Sequence, residues 1–303
     1  MSNSPIYVEI RIRCDIDELW ERTQNPALHQ RWDLRFTDIE YLPRNSESVP
    51  QEFRYQTRIG FGVGIHGKGE STGEQSRSDG SRVSALKFWS DQPISLIREG
   101  SGYWRCIPDR EGELRFLTWY DYRVRWGVAG RAIDRIFRPV IGWATAWSFD
   151  RLRLWIEDGI PPERSMRQAT IHHGARAALA ATWIYQGLVP KLLSRDSGER
   201  KLLEPIVGSR TGAVLAIVGV GEIALGVAHL ARPSSSWPVK VGTAALPLLA
   251  FGALVSNRSV FSRPFNPASL SIAMGALGLI ALASRRDLPS AARCVRVQPK
   301  EHK

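Results

Sequence analysis

Residues Thr211 to Ala231 form an apolar run of 21 residues with a single acid, Glu222, at its middle. As a helix, such a run is long enough to cross the hydrocarbon core of a bilayer. A carboxylate at the centre of a spanning helix is costly to leave facing lipid, so it is expected to face other helices and to have a partner there. Three further apolar runs surround it: Gly174 to Leu193, Val239 to Val255 with Pro247 inside, and Ala268 to Ser284. Short Gly/Ala-rich runs such as the last two suit close helix packing. The expected architecture of this half is an all-α four-helix transmembrane bundle.

Charge divides the chain in the same place. Residues 1–158 hold 23 basic and 23 acidic side chains, so the whole net charge of +11 belongs to the second half. There it flanks the apolar runs, which points to membrane lipids as partners and away from nucleic acid. With four spans, the side of the N-terminal half carries eleven Lys and Arg. The opposite side carries six: Arg195, Arg200, Lys201, Arg210, Arg258 and Arg263. The first thirty residues are strongly charged and hold no apolar leader-like stretch. A multi-pass protein of the cell membrane with both termini in the cytoplasm is therefore expected.

The first half reads as a soluble α+β domain. Ile6, Val8, Ile10, Ile12 and Cys14 alternate with polar residues, the period of a strand. Asp15 with Glu18 reads as a capping box, and Asn25-Pro26 as the start of a second short helix. Successive strands follow, ending in Leu114 to Trp126, where Leu114, Phe116, Thr118, Tyr120, Tyr122, Val124 and Trp126 share one face. The period then becomes helical from about Ala129 to Glu157, with Ile133, Phe137, Val140, Ala144, Trp147 and Trp155 as the apolar stripe and a bend expected at Pro139. Gly62, Gly64 and Gly67 fit G-x-G-x-x-G, but the Lys68 to Gly73 stretch that follows does not open a helix, so a hairpin is expected instead of a dinucleotide site.

Ile10 to Trp20, Asn25 to Asp33 and Thr118 to Phe137 together resemble the START-like superfamily of polyketide cyclases and coenzyme-Q-binding proteins. The resemblance implies a helix-grip (START-like) head with a cavity for an apolar small-molecule ligand. Trp32, Trp89, Trp104 and Trp119 are candidate cavity residues, and His66 with Asp121 a candidate acid/base pair. In the second half, the stretch Trp183 to Lys191, the stretch Gly219 to Gly226 around Glu222, and the stretch Phe265 to Met274 resemble the DoxX-like family of four-helix membrane proteins. That family takes its name from a subunit of a quinone-linked thiosulfate oxidoreductase, which makes a quinone admissible as cofactor. No haem, flavin or iron–sulfur ligand set is evident.

The domain plan is 1–158 head, 159–175 linker, 176–284 membrane domain and 285–303 basic tail. Lys191 and Glu222 are the expected intramembrane ion pair; Lys191 reaches it only if the first span is broken near Pro190. Tyr185, Gln186 and His229 add further polar groups, and His172-His173 lacks the other ligands of a metal site. Three cysteines, Cys14, Cys106 and Cys294, fall at no metal or redox spacing. Three functions fit this set. One is binding or transfer of a lipid, quinone or polyketide-like molecule. The others are a membrane oxidoreductase or cyclase, and a structural anchor that brings copies into a homo-oligomer.

Overall fold

The computed structural model describes residues 4–299 apart from 45, 47, 48, 61, 111, 195–197, 263 and 265. Arg195, Arg263 and Phe265, used in the sequence arguments, lie outside the described residues. The chain divides into two compact units, and the first is discontinuous. Described residues up to Ser165 and from Pro289 onward form the head, and Met166–Leu288 form the helical unit.

The head is a seven-stranded antiparallel sheet. Its strands are β1 (Ile6–Arg13), β2 (Asp38–Tyr41), β3 (Glu52–Gly60), β4 (Val63–Ser76), β5 (Arg82–Trp89), β6 (Ile97–Arg110) and β7 (Glu113–Val124), in the spatial order β1-β7-β6-β5-β4-β3-β2. Between β1 and β2 lie α1 (Ile16–Gln24) and α2 (Pro26–Trp32); after β7 comes the long α3 (Gly127–Glu157). The caps follow the sequence. The Asp15 carboxylate accepts from the Asp17 amide, and the Asn25 side chain accepts from the Ala27 amide with Pro26 at the first helical position. Glu18 does not close the capping box: it takes Arg22, one turn on.

β3 and β4 form the hairpin expected over the glycine motif, and Gly62 has φ +78° at its tip. The α3 helix begins two residues before the expected start at Ala129 and runs through Pro139. Phe149 and Leu152 of α3 are fully buried. Trp32, Trp104 and Phe116 complete an aromatic cluster with Phe149, with ring centroids 4.6–6.4 Å apart. Ile133, expected in the stripe, is 47% exposed.

β1 is an edge strand, and the returning C-terminal segment covers part of it. Glu9 and Val295 exchange both backbone hydrogen bonds at 2.9 Å. The Ser290 amide donates to Asp150, and the Cys294 thiol donates to the carbonyl of Ala146. A paired edge is a common protection against unwanted strand addition.

The helical unit holds α4 (Pro162–Leu188, which begins in the head's chain), a π-helical turn at Val189–Leu193, α5 (Gly198–Val207), α6 (Thr211–Ala231), α7 (Trp237–Ser256) and α8 (Pro267–Ala283). Two helices are long and apolar enough to cross a membrane, one ending in α6 and one being α7; α8 is apolar but shorter. The core of this unit is Ala175, Leu179, Trp183, Val239, Leu246, Met274 and Ala281. Outside that core, large apolar side chains face outward, including Ile217 at 73%, Leu248 at 74% and Ile272 at 72% exposure. An apolar exterior of this extent suits a lipid environment and is rare on a monomer in water.

Candidate functional site

The head holds a half-open cavity of about 440 Å³. Its walls come from the inward side chains of the sheet, among them Phe53, Tyr55, Leu86, Phe88, Trp104 and Tyr120, and from Phe137, Val140, Ile141 and Ala144 of α3. Glycines make the room. Tyr55 lies opposite Gly67, Phe53 opposite Gly69, Phe88 opposite Gly100 and Tyr120 opposite Gly102. A Cβ at any of the four glycines would fall 2.2–2.4 Å from atoms of its partner side chain. The rings of Tyr55, Phe53 and Phe88 therefore lie over bare stretches of neighbouring backbone at Gly67, Gly69 and Gly100, which holds them against the sheet and leaves the space beneath α3 open.

One strongly charged group enters this apolar wall. Arg35 lines the cavity with its side chain 12% exposed, and Asp33 beside it is fully buried. The guanidinium grips both carboxylate oxygens: Nε donates to Oδ1 at 3.0 Å and Nη2 to Oδ2 at 2.6 Å. His29 Nε2 lies 3.1 Å from the same Oδ2, and the Arg35 amide donates to Oδ1 at 3.0 Å. Burial opposes ionisation of Asp33, but the Arg35 charge and the hydrogen bonds from His29 and Arg35 outweigh it. They hold the carboxyl well below the usual carboxylate range. Burial likewise opposes the charge on Arg35, and Asp33 overcomes it, raising the guanidinium pKa. The guanidinium carbon sits 5.2 Å from the Trp104 ring centroid and 5.3 Å from that of Tyr120. Burial also pushes the Tyr55 hydroxyl up to about 12, so it stays protonated near neutrality.

The residues singled out from sequence fall in different places. Trp104 lines the cavity. Trp32 is fully buried behind it, stacked 4.9 Å from His29, with its indole donating to the Arg22 carbonyl. Trp89 and Trp119 are not among the cavity walls: Phe88, Thr118 and Tyr120 face inward, and adjacent strand residues face the other way. Trp119 stacks instead on Tyr103 at 6.0 Å. His66 and Asp121 share that outer face on strands separated by β5 and β6, so they do not form a pair. His66 is exposed, and Asp121 takes Arg138 at 2.7 Å. The residues that matter most here, Arg35 and Asp33, were not among the sequence candidates. The signal available was an Asp-x-Arg directly after a helix, ahead of the first turn-rich stretch.

In the helical unit, Lys191 Nζ lies 2.8 Å from Glu222 Oε2, and also 2.8 Å from Glu199 Oε2. The helix break required near Pro190 is the π-helical turn, and Lys191 further donates to the Gln186 carbonyl at 3.2 Å. Close approach of α4 and α6 sets up the pair. A Cβ on Gly187 would lie 2.4 Å from the Gly219 carbonyl oxygen, one turn before each charged residue. Tyr185 is 60% exposed and stands apart from this cluster. His229 is buried two turns beyond Glu222, its Nδ1 against the Leu225 carbonyl at 2.9 Å, while Arg176 donates to the carbonyls of His229, Arg232 and Ser235. Among the described residues no group of three or more His, Cys, Asp or Glu is arranged to hold a metal ion.

Comparison with known proteins agrees with the division into two parts. Residues 180–279 match the DoxX-like family. The head is similar to a hypothetical protein of Helicobacter pylori (13% identity, TM-score 0.41, covering 50% of this chain and 86% of that one). It is also similar to the Zhui aromatase/cyclase from Streptomyces sp. R1128 (12%, 0.35, 49% and 95%) and human StAR-related lipid transfer protein 5 (13%, 0.35, 45% and 69%). Over its whole length the chain is 40% identical to YndG of Bacillus subtilis (strain 168), described as an uncharacterised membrane protein, covering 99% of this chain and all of the relative. The chain therefore belongs to the family of the membrane protein YndG, with a DoxX-like domain in its helical unit.

Proposed function

We propose that this protein binds an apolar small molecule in its head and exchanges it with the membrane in which its helical unit is embedded. The observation that carries the reading is the 440 Å³ aromatic-lined cavity. Such a volume lined by apolar side chains, with few polar groups, is what small-molecule sites have in common. The helical unit crosses the bilayer four times, as α4, α6, α7 and α8. Chain connectivity supports an even number: both Met166 and Leu288 continue into segments of the same head. The excess of Lys and Arg on the head's side supports a head and both termini in the cytoplasm.

The test is to purify the full chain, extract it with organic solvent and analyse the extract by mass spectrometry. One apolar molecule per chain is expected, retained in variants altered only in the helical unit. An extract holding nothing beyond bulk lipid would remove this reading. The cluster of Lys191, Glu199 and Glu222 supports a second reading, in which the helical unit takes a proton or a polar headgroup such as that of a quinone. There Glu222→Gln would alter ligand content or transport, whereas Glu204→Gln in α5 would not.

A further inference from the structure

The cavity wall holds a nearly buried guanidinium, and we infer that it selects neutral molecules bearing a carbonyl oxygen, seated on Arg35. The inference rests on the reading that the cavity holds a ligand. Arginine carries five N–H donors. Asp33 takes the Nε and one of the Nη2 hydrogens. The Tyr120 hydroxyl also interacts with Arg35, whose guanidinium carbon lies 5.3 Å from the Tyr120 ring centroid. The orientation of that hydroxyl can be worked out. Thr145 donates its own hydrogen to the Ile141 carbonyl at 2.8 Å, so the 2.9 Å contact between Tyr120 and Thr145 has Tyr120 as donor. The Tyr120 oxygen is then left to accept one bond from Arg35. Counted among the described residues, these partners leave two guanidinium hydrogens beside the cavity, whose walls are otherwise mainly apolar.

Charge decides what they take. Asp33 and Arg35 sum to zero, and the carboxylate in the cavity wall, Glu74, is exposed. An anionic ligand would therefore bring an uncompensated charge into an apolar space. A hydrocarbon would leave the Arg35 donors without an acceptor, which is itself unfavourable once water is displaced. A neutral carbonyl satisfies them without adding charge. The flanking rings of Phe36, Tyr55 and Trp104 suit a flat or chain-like apolar body behind it.

The test uses the full chain in lipid nanodiscs, with empty nanodiscs as the blank, and three probes of one skeleton: 2-acetylnaphthalene, 2-ethylnaphthalene and 2-naphthoate. Equilibrium dialysis should give the ketone at least tenfold tighter binding than either of the others. Arg35→Met should bring the ketone and the ethyl compound to equal binding, weakening the first and relieving the penalty on the second. The double variant Asp33→Leu/Arg35→Met, which strands no charge, gives the same comparison if the single variant fails to fold. Equal binding of ketone and ethyl compound by the native protein would overturn the inference while leaving the cavity reading intact. Tightest binding of the carboxylate would overturn the neutrality. No binding of any probe would overturn the cavity reading and the inference together.

Discussion

Each unit of this protein hides a charge pair in apolar surroundings, and the two pairs are built in opposite ways. In the head, Asp33 and Arg35 are two residues apart on one loop, and the backbone itself helps to hold the carboxylate. In the helical unit, Lys191 and Glu222 are joined only by packing, across the close approach of Gly187 and Gly219. The local pair can form as soon as its loop closes, and it leaves donors over. The distant pair forms only where two helices keep their register, the setting in which a buried pair can fix that register. A charge at the cavity wall is here held by its own neighbours, while a charge between helices is held by the fold.

This contrast can be broken by substitution. The largest effect is expected from Lys191→Met, which leaves two carboxylates without their shared cation. Loss of one partner of a buried pair costs about 3–5 kcal/mol. Denaturant unfolding of the reconstituted protein should show that loss, and Lys191→Met/Glu222→Leu should recover much of it. If the single and double variants are equally stable, the pair does not fix registry. Arg35→Met should be milder in stability than Lys191→Met, because His29 and the Arg35 backbone amide still bond Asp33. A larger loss in the head than in the helices would reverse the comparison.

Gly67→Val tests the cavity without touching either charge. Its side chain must displace the Tyr55 ring, and overpacking of this kind costs roughly 1–3 kcal/mol. Probe uptake should fall by more than stability does. Acid separates the head's pair from its surroundings more gently. The folded pKa of Asp33 lies below its unfolded value, so its stabilisation is complete above the usual carboxylate value of about 4 and is lost as pH falls through the folded value. Between pH 4 and 2 the head of the native protein should therefore lose more thermal stability than that of Asp33→Leu/Arg35→Met. The smallest effect concerns the tail. Burial pushes the Cys294 thiol up to about 12, and it donates to Ala146, so alkylation at pH 8 should be slow. Val295→Pro, which deletes one of the two bonds to Glu9, should speed it.

The same contrast explains what could be read from sequence. Glu222 and Lys191 stand out because everything near them is apolar, and a charge in such a run demands a partner. Asp33 and Arg35 sit in a head with as many acids as bases, where an ion pair leaves no compositional mark. Period did carry information about the wall. Thr118 and Tyr120 share the face of Leu114 and Phe116, and both line the cavity. Trp119 and Asp121 lie on the face of Arg115 and Arg123, so their outward placement follows from the same alternation. Strand periodicity separates the two faces of a sheet, but which face is concave is fixed by long-range packing of α3. The return of Val295 to Glu9 had no comparable signal, since one bridge is too short for any period.

That return has a consequence for synthesis. Strand β1 is made before every apolar helix of the helical unit, yet Val295, which bonds its outer edge, is made after them. Completion of the head therefore waits on synthesis of the helical unit that separates its two pieces. A chain cut within that unit would leave the outer edge of β1 without its bonds to Val295, the kind of open edge that invites unwanted strand addition.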